Sequence, residues 1–553
     1  MHVFQISGEK LLNDFPKPAK LNWKNPECIY NFECLSIEPS CVRNRLLKLS
    51  ADSHLDVLQM DTRLLRLSAN VIAPSITSIM NLSLQTGVIP EDWKLARVAP
   101  IFKGRGSKLD ECNYRPISVI ASISMIMEKE VAKQVMAYVI DHDLISLDQF
   151  AFLKNHSTVT SLHRLIDEWY EAINEGEYIM ACFFDVKKCF DTINRSLLLQ
   201  KLTFYGFRDS SHKWFSNYLY MRKQFVACNG KSSAPLPVNT GVPQGSALGP
   251  LLFLIFINDF PQHIKRSSSN MFADDSCVYK TGKSFIETKS YFQESVNEAD
   301  EWYMNNNLPI NTDKSLCMLA ASETMLNRLN DESRSLHIKI NDNPINQVSE
   351  HPYLGIYLDS SLKWNKQVLQ MCSNVSRKLA LLGRLRKMLN RETLNMLYLS
   401  MIQPKLDYGI SVWGYCSDSN RALIVRLQHR AARIITGNWD YINIRGESLV
   451  KELGWQSIEK RRDYFTAVLM YRCINEIAPR RLIEGLVTTS ETHEVSTQST
   501  ANRTIKIPEP KCEIFRNSFK YQGAVIWNRL PSYLQNASDI YSFKHLYKIQ
   551  YFK

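Results

Sequence analysis

Asp185 closes an almost wholly apolar run, YIMACFFDV (Tyr178 to Val186), and Asp274 and Asp275 stand side by side between apolar flanks in NMFADDSCVY (Asn270 to Tyr279). The first run reads as a buried strand with an acid near its end, the second as a hairpin with two acids at its tip. If those strands are neighbours in one sheet, three carboxylates converge on one point, and like charges that close need cations to stay ionised. Hard oxygen ligands suit Mg²⁺, and two metals about 3.5–4 Å apart clamp the attacking and leaving oxygens of an in-line phosphoryl transfer. The chemistry so implied is nucleotidyl transfer. Taken alone, the Asp-Asp pair also fits an ordinary turn, where Asp is favoured for its own backbone hydrogen bonding.

The elements that would position these acids are legible from periodicity. Val159, Leu162, Ile166, Trp169 and Ile173 recur at helical spacing and stop at Gly176, just before the first strand. Phe285, Phe292, Val296, Ala299 and Tyr303 predict a second helix after the hairpin, and LLFLIFI (Leu251 to Ile257) a short buried one, too short to span a bilayer. From about Val71 to Asn365 helical and strand-like patterns interleave, an α+β centre. Before it lies a mostly helical lead-in interrupted by FPKPAKLNWKNPE, a Pro-containing loop. After about residue 366 strands largely vanish, and VSRKLALLGRLRKML and ALIVRLQHRAARIIT read as amphipathic helices with basic outer faces. Between Thr488 and Thr500 eight of 13 residues are Ser or Thr, which marks a loop or linker, and FKYQGAVIWNRLPSYLQ then returns to a core-forming composition.

At 553 residues the chain has length for several packed domains, and its 45% hydrophobic and 22% charged residues are ordinary for a globular protein. Its 67 Lys and Arg against 55 Asp and Glu are not ordinary, and they are concentrated: residues 361–440 hold 13 Lys and Arg against four acids (Glu392, Asp407, Asp418, Asp440). That block suggests a polyanion partner or a solvated helical face. Thirteen irregularly spaced cysteines argue for reduced thiols in an intracellular, soluble protein, and Cys28, Cys34 and Cys41 make a poor zinc site without a C-x-x-C pair or a nearby His. The start, MHVFQISGEKLL, has no apolar signal-peptide region. No membrane segment and no protein partner are predicted.

FFDVKKCFDTINR (Phe183 to Arg195), GVPQGSALGPLLF (Gly241 to Phe253) and MFADDSCVY (Met271 to Tyr279) resemble, in order and spacing, three successive motifs of reverse transcriptases. ARVAPIFKGRG and YRPISVI before them, and LPINTDKS and YLGIYLD after them, look like the remaining motifs, in wording similar to the non-LTR (LINE-type) retrotransposon branch. With SRKLALLGRLRKML and LDYGISVWG the resemblance covers about residues 70 to 440. It implies a right-hand polymerase, with fingers, a palm carrying a small antiparallel sheet, a helical thumb and a mainly helical C-terminal unit. The bounds that follow are an extension at 1–75, fingers and palm at 76–365, a basic thumb at 366–445 and a unit of unassigned role at 446–553. The implied activity is RNA-directed DNA polymerisation, with an RNA template, a DNA primer or nicked target DNA, and deoxynucleoside triphosphates as partners.

The same resemblance assigns roles. Asp185 and Asp274 would be the principal ligands of two Mg²⁺ ions, for which Mn²⁺ could substitute, with Asp275 a less direct one. Phe190 falls at the position whose aromatic ring excludes a 2′-hydroxyl; its alternative is core packing. Gln244 and Gly245 fall in the floor beneath the incoming nucleotide, and Lys103 and Arg115 in the triphosphate-binding fingers. Lys314 matches a position that protonates the leaving pyrophosphate, or is a structural lysine. Tyr353, Leu354 and Gly355 match a primer-grip turn.

Some positions depart from the pattern. In QFAFLKNHST, Ala151 and Leu153 stand where the family usually has Gly and Arg, and Cys189 replaces a small Ala. LDVLQMDTRLLRLS is shortened relative to the family's version, and nothing before residue 70 resembles the endonuclease of complete elements. A polymerase-containing fragment is therefore expected, nuclear and cytoplasmic by resemblance. The alternative is a catalytically inactive relic that only binds RNA.

Overall fold

The computed structural model describes residues 28–552 apart from positions 53, 105, 229, 331–333 and 488–503. The Pro-containing loop before Cys28 and the Ser/Thr-rich stretch at 488–500 thus lie outside the described residues. In chain order the strands are β1 (Leu95–Phe102), β2 (Tyr114–Ile120), β3 (Tyr178–Phe184), β4 (Arg222–Cys228), β5 (Lys231–Ser232), β6 (Leu236–Val238), β7 (Ser268–Phe272) and β8 (Asp275–Gly282). Then follow β9 (Leu316–Ala320), β10 (Lys339–Ile340), β11 (Asn343–Pro344), β12 (Asn346–Gln347), β13 (Glu350–Tyr353) and β14 (Ile356–Asp359). The mixture of sheets and helices is α+β, and no strand follows β14 among the described residues.

The chain divides into two compact units, each assembled from separate stretches. The first takes residues up to Phe152, Phe184–Lys265 and Asn297–Lys314. Its sheet pairs β1 antiparallel with β2 (Ile101 opposite Arg115) and parallel with β4 (Ala96 beside Gln224), with β6 antiparallel on β4. The helix Gly249–Ile257 is buried from Leu251 to Ile257. A segment apolar on every side has no solvent face to offer, so it fills a core. The helix Ala69–Thr86 ends at Gly87, whose φ of +70° supplies the left-handed C-cap that side-chain-bearing residues resist.

The second unit takes Leu153–Phe183, Arg266–Val296 and everything from Ser315 onward. Its sheet runs β12-β9-β3-β8-β7. β3 is buried along its whole length and pairs antiparallel with β9, Cys182 opposite Cys317. The predicted helix before β3 is Thr158–Asn174, started by a capping box between Ser157 and Thr160. Its Leu162, Ile166 and Trp169 share one core with Ala181, Met318, Val368, Val375 and Leu379. The helix Asn365–Leu385 buries Val368, Met371, Val375, Leu379 and Leu382 and turns Arg377 and Arg384 to solvent, as its three-and-four spacing requires. A second core gathers Met470, Tyr471, Phe519, Trp527 and Phe543. The described cysteines are free thiols, and no described helix is long and apolar enough to cross a membrane.

Candidate active site

In the first unit the chain leaves β3 at Asp185, and the LPIN segment fastens it. Asn311 donates its backbone N–H to the Asp185 carbonyl at 2.7 Å and its Nδ2 to Asp185 Oδ2 at 3.0 Å. Lys187 N–H bonds the Pro309 carbonyl at 2.9 Å and Val186 bridges Ile310, so residues 185–187 gain a short antiparallel partner. Lys314 Nζ lies 4.0 Å from Asp185 Oδ2, with 67% of the lysine side chain and 46% of the aspartate's exposed. A carboxylate held by an amide donor, faced by an ammonium and still half open to solvent is oriented and accessible. Asn311 had no assigned role from sequence, where it stood only as a member of the LPINTDKS motif.

Lys188 takes φ +50° and starts a single helical turn, Cys189–Thr192, from which the half-buried Phe190 ring stacks on Phe253 at 5.0 Å. The segment before Gln244 is sewn to that turn. Gly241 N–H bonds the Ile193 carbonyl and Val242 N–H the Phe190 carbonyl, and a Cβ at Gly241 would stand 2.6 Å from Phe190 O. Buried Arg195 donates from Nε, Nη1 and Nη2 to the carbonyls of Gly241 (2.8 Å), Val238 (2.5 Å) and Thr240 (3.0 Å). On the other side Ser118 of β2 donates its N–H to the Gln244 carbonyl at 2.6 Å. Gly245 has φ +117°, and a Cβ there would lie 2.7 Å from Ser118 O, so both conformation and space demand glycine.

Directly after the turn, buried Glu128 accepts from the N–H groups of Ala247 (2.9 Å) and Leu248 (3.4 Å) and from the Tyr218 hydroxyl (3.0 Å). Burial raises its carboxyl above the ordinary range, against the opposing charge of Arg222. A polar cavity of ≈ 40 Å³ is lined by Ser118, Asp191, Arg195, Arg222 and Gln244, among others, which is room for an ordered water. Burial pushes the Asp191 carboxyl up to about 6, and Arg222 Nη2 is buried without a hydrogen-bond partner. Lys103 and Arg115 belong to the β1–β2 hairpin. Lys103 N–H bonds the Asn113 carbonyl at 2.8 Å, and the antiparallel register puts both exposed side chains on one face.

In the second unit β7 and β8 pair with Phe272 opposite Asp275, which leaves Ala273 and Asp274 as a two-residue turn. Ala273 takes φ +56°, a conformation that hairpin turns usually give to glycine or asparagine; it costs a residue with a Cβ on the order of 1–3 kcal/mol. The ladder on either side holds it there, with Asp274 half-buried and Asp275 exposed. Beneath β7, buried Asn270 donates Nδ2 to Ser161 Oγ (2.8 Å) and Tyr353 Oη (3.2 Å), Tyr353 returns its hydroxyl to the Asn270 carbonyl, and Arg164 bonds the Ser269 carbonyl. Tyr353 is therefore a buried strut under the hairpin, its hydroxyl driven well above the ordinary tyrosine range by burial. Leu354 (φ +47°) and Gly355 (φ +80°) form the tight turn between β13 and β14, and Tyr408 donates its hydroxyl to Leu354 O at 2.6 Å. A Cβ on Gly355 would come within 3.2 Å of the Tyr408 ring.

Among the described residues no group of three or more His, Cys, Asp and Glu side chains is placed to hold a metal ion. Asp185, Asp274 and Asp275 each carry carboxylate oxygens that are not fully buried, the donor type that suits a hard divalent cation.

The first unit thus holds an anchored, half-exposed aspartate and a glycine turn stitched between a strand and an aromatic, and the second a hairpin that carries two acids at its tip. Residues 106–358 match the reverse transcriptase (RNA-dependent DNA polymerase) family. The chain is 28% identical over 414 residues to the RNA-directed DNA polymerase from mobile element jockey of Drosophila melanogaster, covering 73% of this chain and 44% of that protein. It is 29% identical over 378 residues to the probable RNA-directed DNA polymerase from transposon X-element of Drosophila melanogaster (66% and 40%). It is 24% identical over 334 residues to the retrovirus-related Pol polyprotein from type-1 retrotransposable element R1 of Bradysia coprophila (59% and 32%). Its relatives are thus non-LTR retrotransposon polymerases, and the chain spans less than half of their length.

Proposed function

We propose that the chain is the RNA-directed DNA polymerase portion of a non-LTR retrotransposon protein, extending a DNA 3′ end on an RNA template. The observation that carries this is the reverse transcriptase match over 106–358, which contains every acid, glycine and aromatic assigned a role. In this reading 76–365 supply fingers and palm, 366–445 a thumb that grips the template–primer backbone through its Lys and Arg side chains, and 446–553 a further helical unit. Asp185 and Asp274, with Asp275 less directly, hold two Mg²⁺ ions, or Mn²⁺ in their place. When bound, the divalent cations supply charge stabilisation at the attacking and leaving oxygens.

The rest falls to side chains. Lys103 and Arg115 bind the triphosphate from one face of their hairpin, the ammonium as a point charge and the guanidinium as a fork. The Gln244–Gly245 turn lets backbone approach the incoming nucleotide, and Phe190, backed by Phe253, fills the space a 2′-hydroxyl would need. The turn at Tyr353, Leu354 and Gly355, fixed from below by Asn270 and from the side by Tyr408, sets the primer 3′-hydroxyl. Lys314 gives a proton to the leaving pyrophosphate.

Primer extension on poly(rA)/oligo(dT) tests the reading. Mg²⁺-dependent dTMP incorporation is expected, and its loss by ~10²–10³-fold or to background in Asp274→Ala, the range that removing a principal electrostatic group costs. No incorporation by the native chain, or equal incorporation by the variant, refutes it. RNA binding without incorporation would instead identify an inactive relic.

A further inference from the structure

Between the helices Asp418–Thr436 and Gly446–Glu452, residues 437–445 form a loop that exposes Trp439 (46%), Tyr441 (68%) and Ile442 (94%). Clusters of exposed large apolar side chains mark surfaces that bind something. The loop is rigidly built. Gly437 caps the first helix at φ +77°. Arg433, itself buried, donates Nη1 to the carbonyls of Asn438 (3.3 Å) and Asp440 (3.0 Å) and Nη2 to that of Ile444 (2.7 Å). Asp440 Oδ1 accepts from the N–H groups of Ile442 and Asn443, each at 2.9 Å, and its Oδ2 from Asn443 Nδ2 at 2.8 Å. One guanidinium and one carboxylate thus tie the backbone from within, and the rings are held outward before any partner arrives, which lowers the entropy cost of binding.

The surroundings say which partner fits. The Arg433 guanidinium lies 4.1 Å from the centroid of the Tyr441 ring, and the ring's exposure leaves its other face open. Arg386 reaches the base of the loop, Nη2 3.5 Å from Gly437 O, and Arg384, Arg386, Lys387 and Arg445 are exposed. The preceding segment, 361–440, carries 13 Lys and Arg against four acids. Fixed aromatic faces rimmed by cations complement a polyanion that itself displays flat apolar faces. Unpaired nucleobases on a phosphate backbone are that ligand, whereas a duplex hides its base faces in the stack.

We propose that Trp439 and Tyr441 form a stacking platform for unpaired bases of a single-stranded nucleic acid segment, with Arg386 and its neighbouring cations on the phosphates. The proposal rests on the reading of the chain as a nucleic-acid polymerase, yet concerns a loop outside residues 106–358.

Fluorescence anisotropy of the full chain tests it, with labelled oligo(rU), oligo(dT) and a blunt RNA–DNA duplex across a salt series. Trp439→Ala and Tyr441→Ala should each weaken single-strand binding roughly tenfold while leaving the slope of log K against log salt unchanged, because stacking releases no counterions. Trp439→Phe should keep most of the affinity, and duplex binding should not change. A loss confined to oligo(rU) or to oligo(dT) would assign the platform to RNA or to DNA. Single-strand affinity unchanged in both alanine variants overturns the proposal, as does an equal loss on the duplex. Primer extension by the same preparations reports separately on polymerase activity, so failure of that reading is told apart from failure of the platform.

Discussion

Replacing Asp167 with Asn should stabilise the second unit at pH 8 and not at pH 4.5. Asp167 lies on the helix Thr158–Asn174, wholly enclosed, where Oδ1 accepts the Phe519 N–H at 2.8 Å and Oδ2 has no hydrogen-bond partner. Burial raises its carboxyl from 3.8 to about 7, with Lys520 opposing. Below 3.8 the acid is protonated whether the chain is folded or not, so it contributes no pH dependence there. Between 3.8 and about 7 the unfolded chain releases the proton while the folded one keeps it, so stability falls as pH rises, and above about 7 the penalty is constant. At about 1.4 kcal/mol per pH unit, the plateau penalty is about 4 kcal/mol, of which about 3 kcal/mol develops between pH 4.5 and 8. Asn keeps the acceptor for Phe519 and cannot ionise. Urea denaturation of both proteins at pH 4.5, 6 and 8, followed by circular dichroism, should therefore show the variant gaining about 3 kcal/mol on the native chain across that range. A difference that stays within about 1 kcal/mol at all three pH values would refute a neutral, buried carboxyl at this position.

Two further substitutions probe the proposed nucleotide site. Gly245→Ala puts a Cβ 2.7 Å from a backbone oxygen at φ +117°, at a cost of about 2 kcal/mol or more, so KM for the incoming deoxynucleotide should rise roughly thirtyfold; an unchanged KM would show that the turn does not meet the nucleotide. Phe190→Ala should admit ribonucleotides, measured as the ratio of kcat/KM for rUTP and dTTP, and an unaltered ratio would leave the ring a packing residue on Phe253.

Parts of this architecture are visible in the chain because local patterns are sufficient to set them. The period of Leu162, Ile166 and Trp169 gives a helix, the unbroken YIMACFF gives a strand buried on both faces, and LLFLIFI gives a core helix, since hydrophobic periodicity is a local property. The acids of FADD and the Gly of PQG could be picked out because each chemistry admits few residue types. Glu128 could not: between Met127 and Lys129 it looks like any helical surface acid, and only the fold places it on the N–H groups of Ala247 and Leu248, more than a hundred residues away. Asn311 and Arg195 were hidden in the same way, since a hydrogen bond to a distant carbonyl or carboxylate leaves no periodic trace. Tyr353 was read from its motif as part of a turn, and the structure makes its side chain the buried strut under Asn270.

The sequence by itself thus determined the inventory: the acids at a strand end and a hairpin tip, the obligatory glycines, the basic helices and the reverse transcriptase motifs in their order. The tertiary structure alone decided orientation and environment. Which amide turns Asp185, which strand clamps Gln244, which carboxyl is buried neutral and which aromatic rings are held out to solvent all depend on contacts between residues far apart in the chain. Burial and long-range hydrogen bonds are set when the chain closes on itself, and no local pattern encodes them.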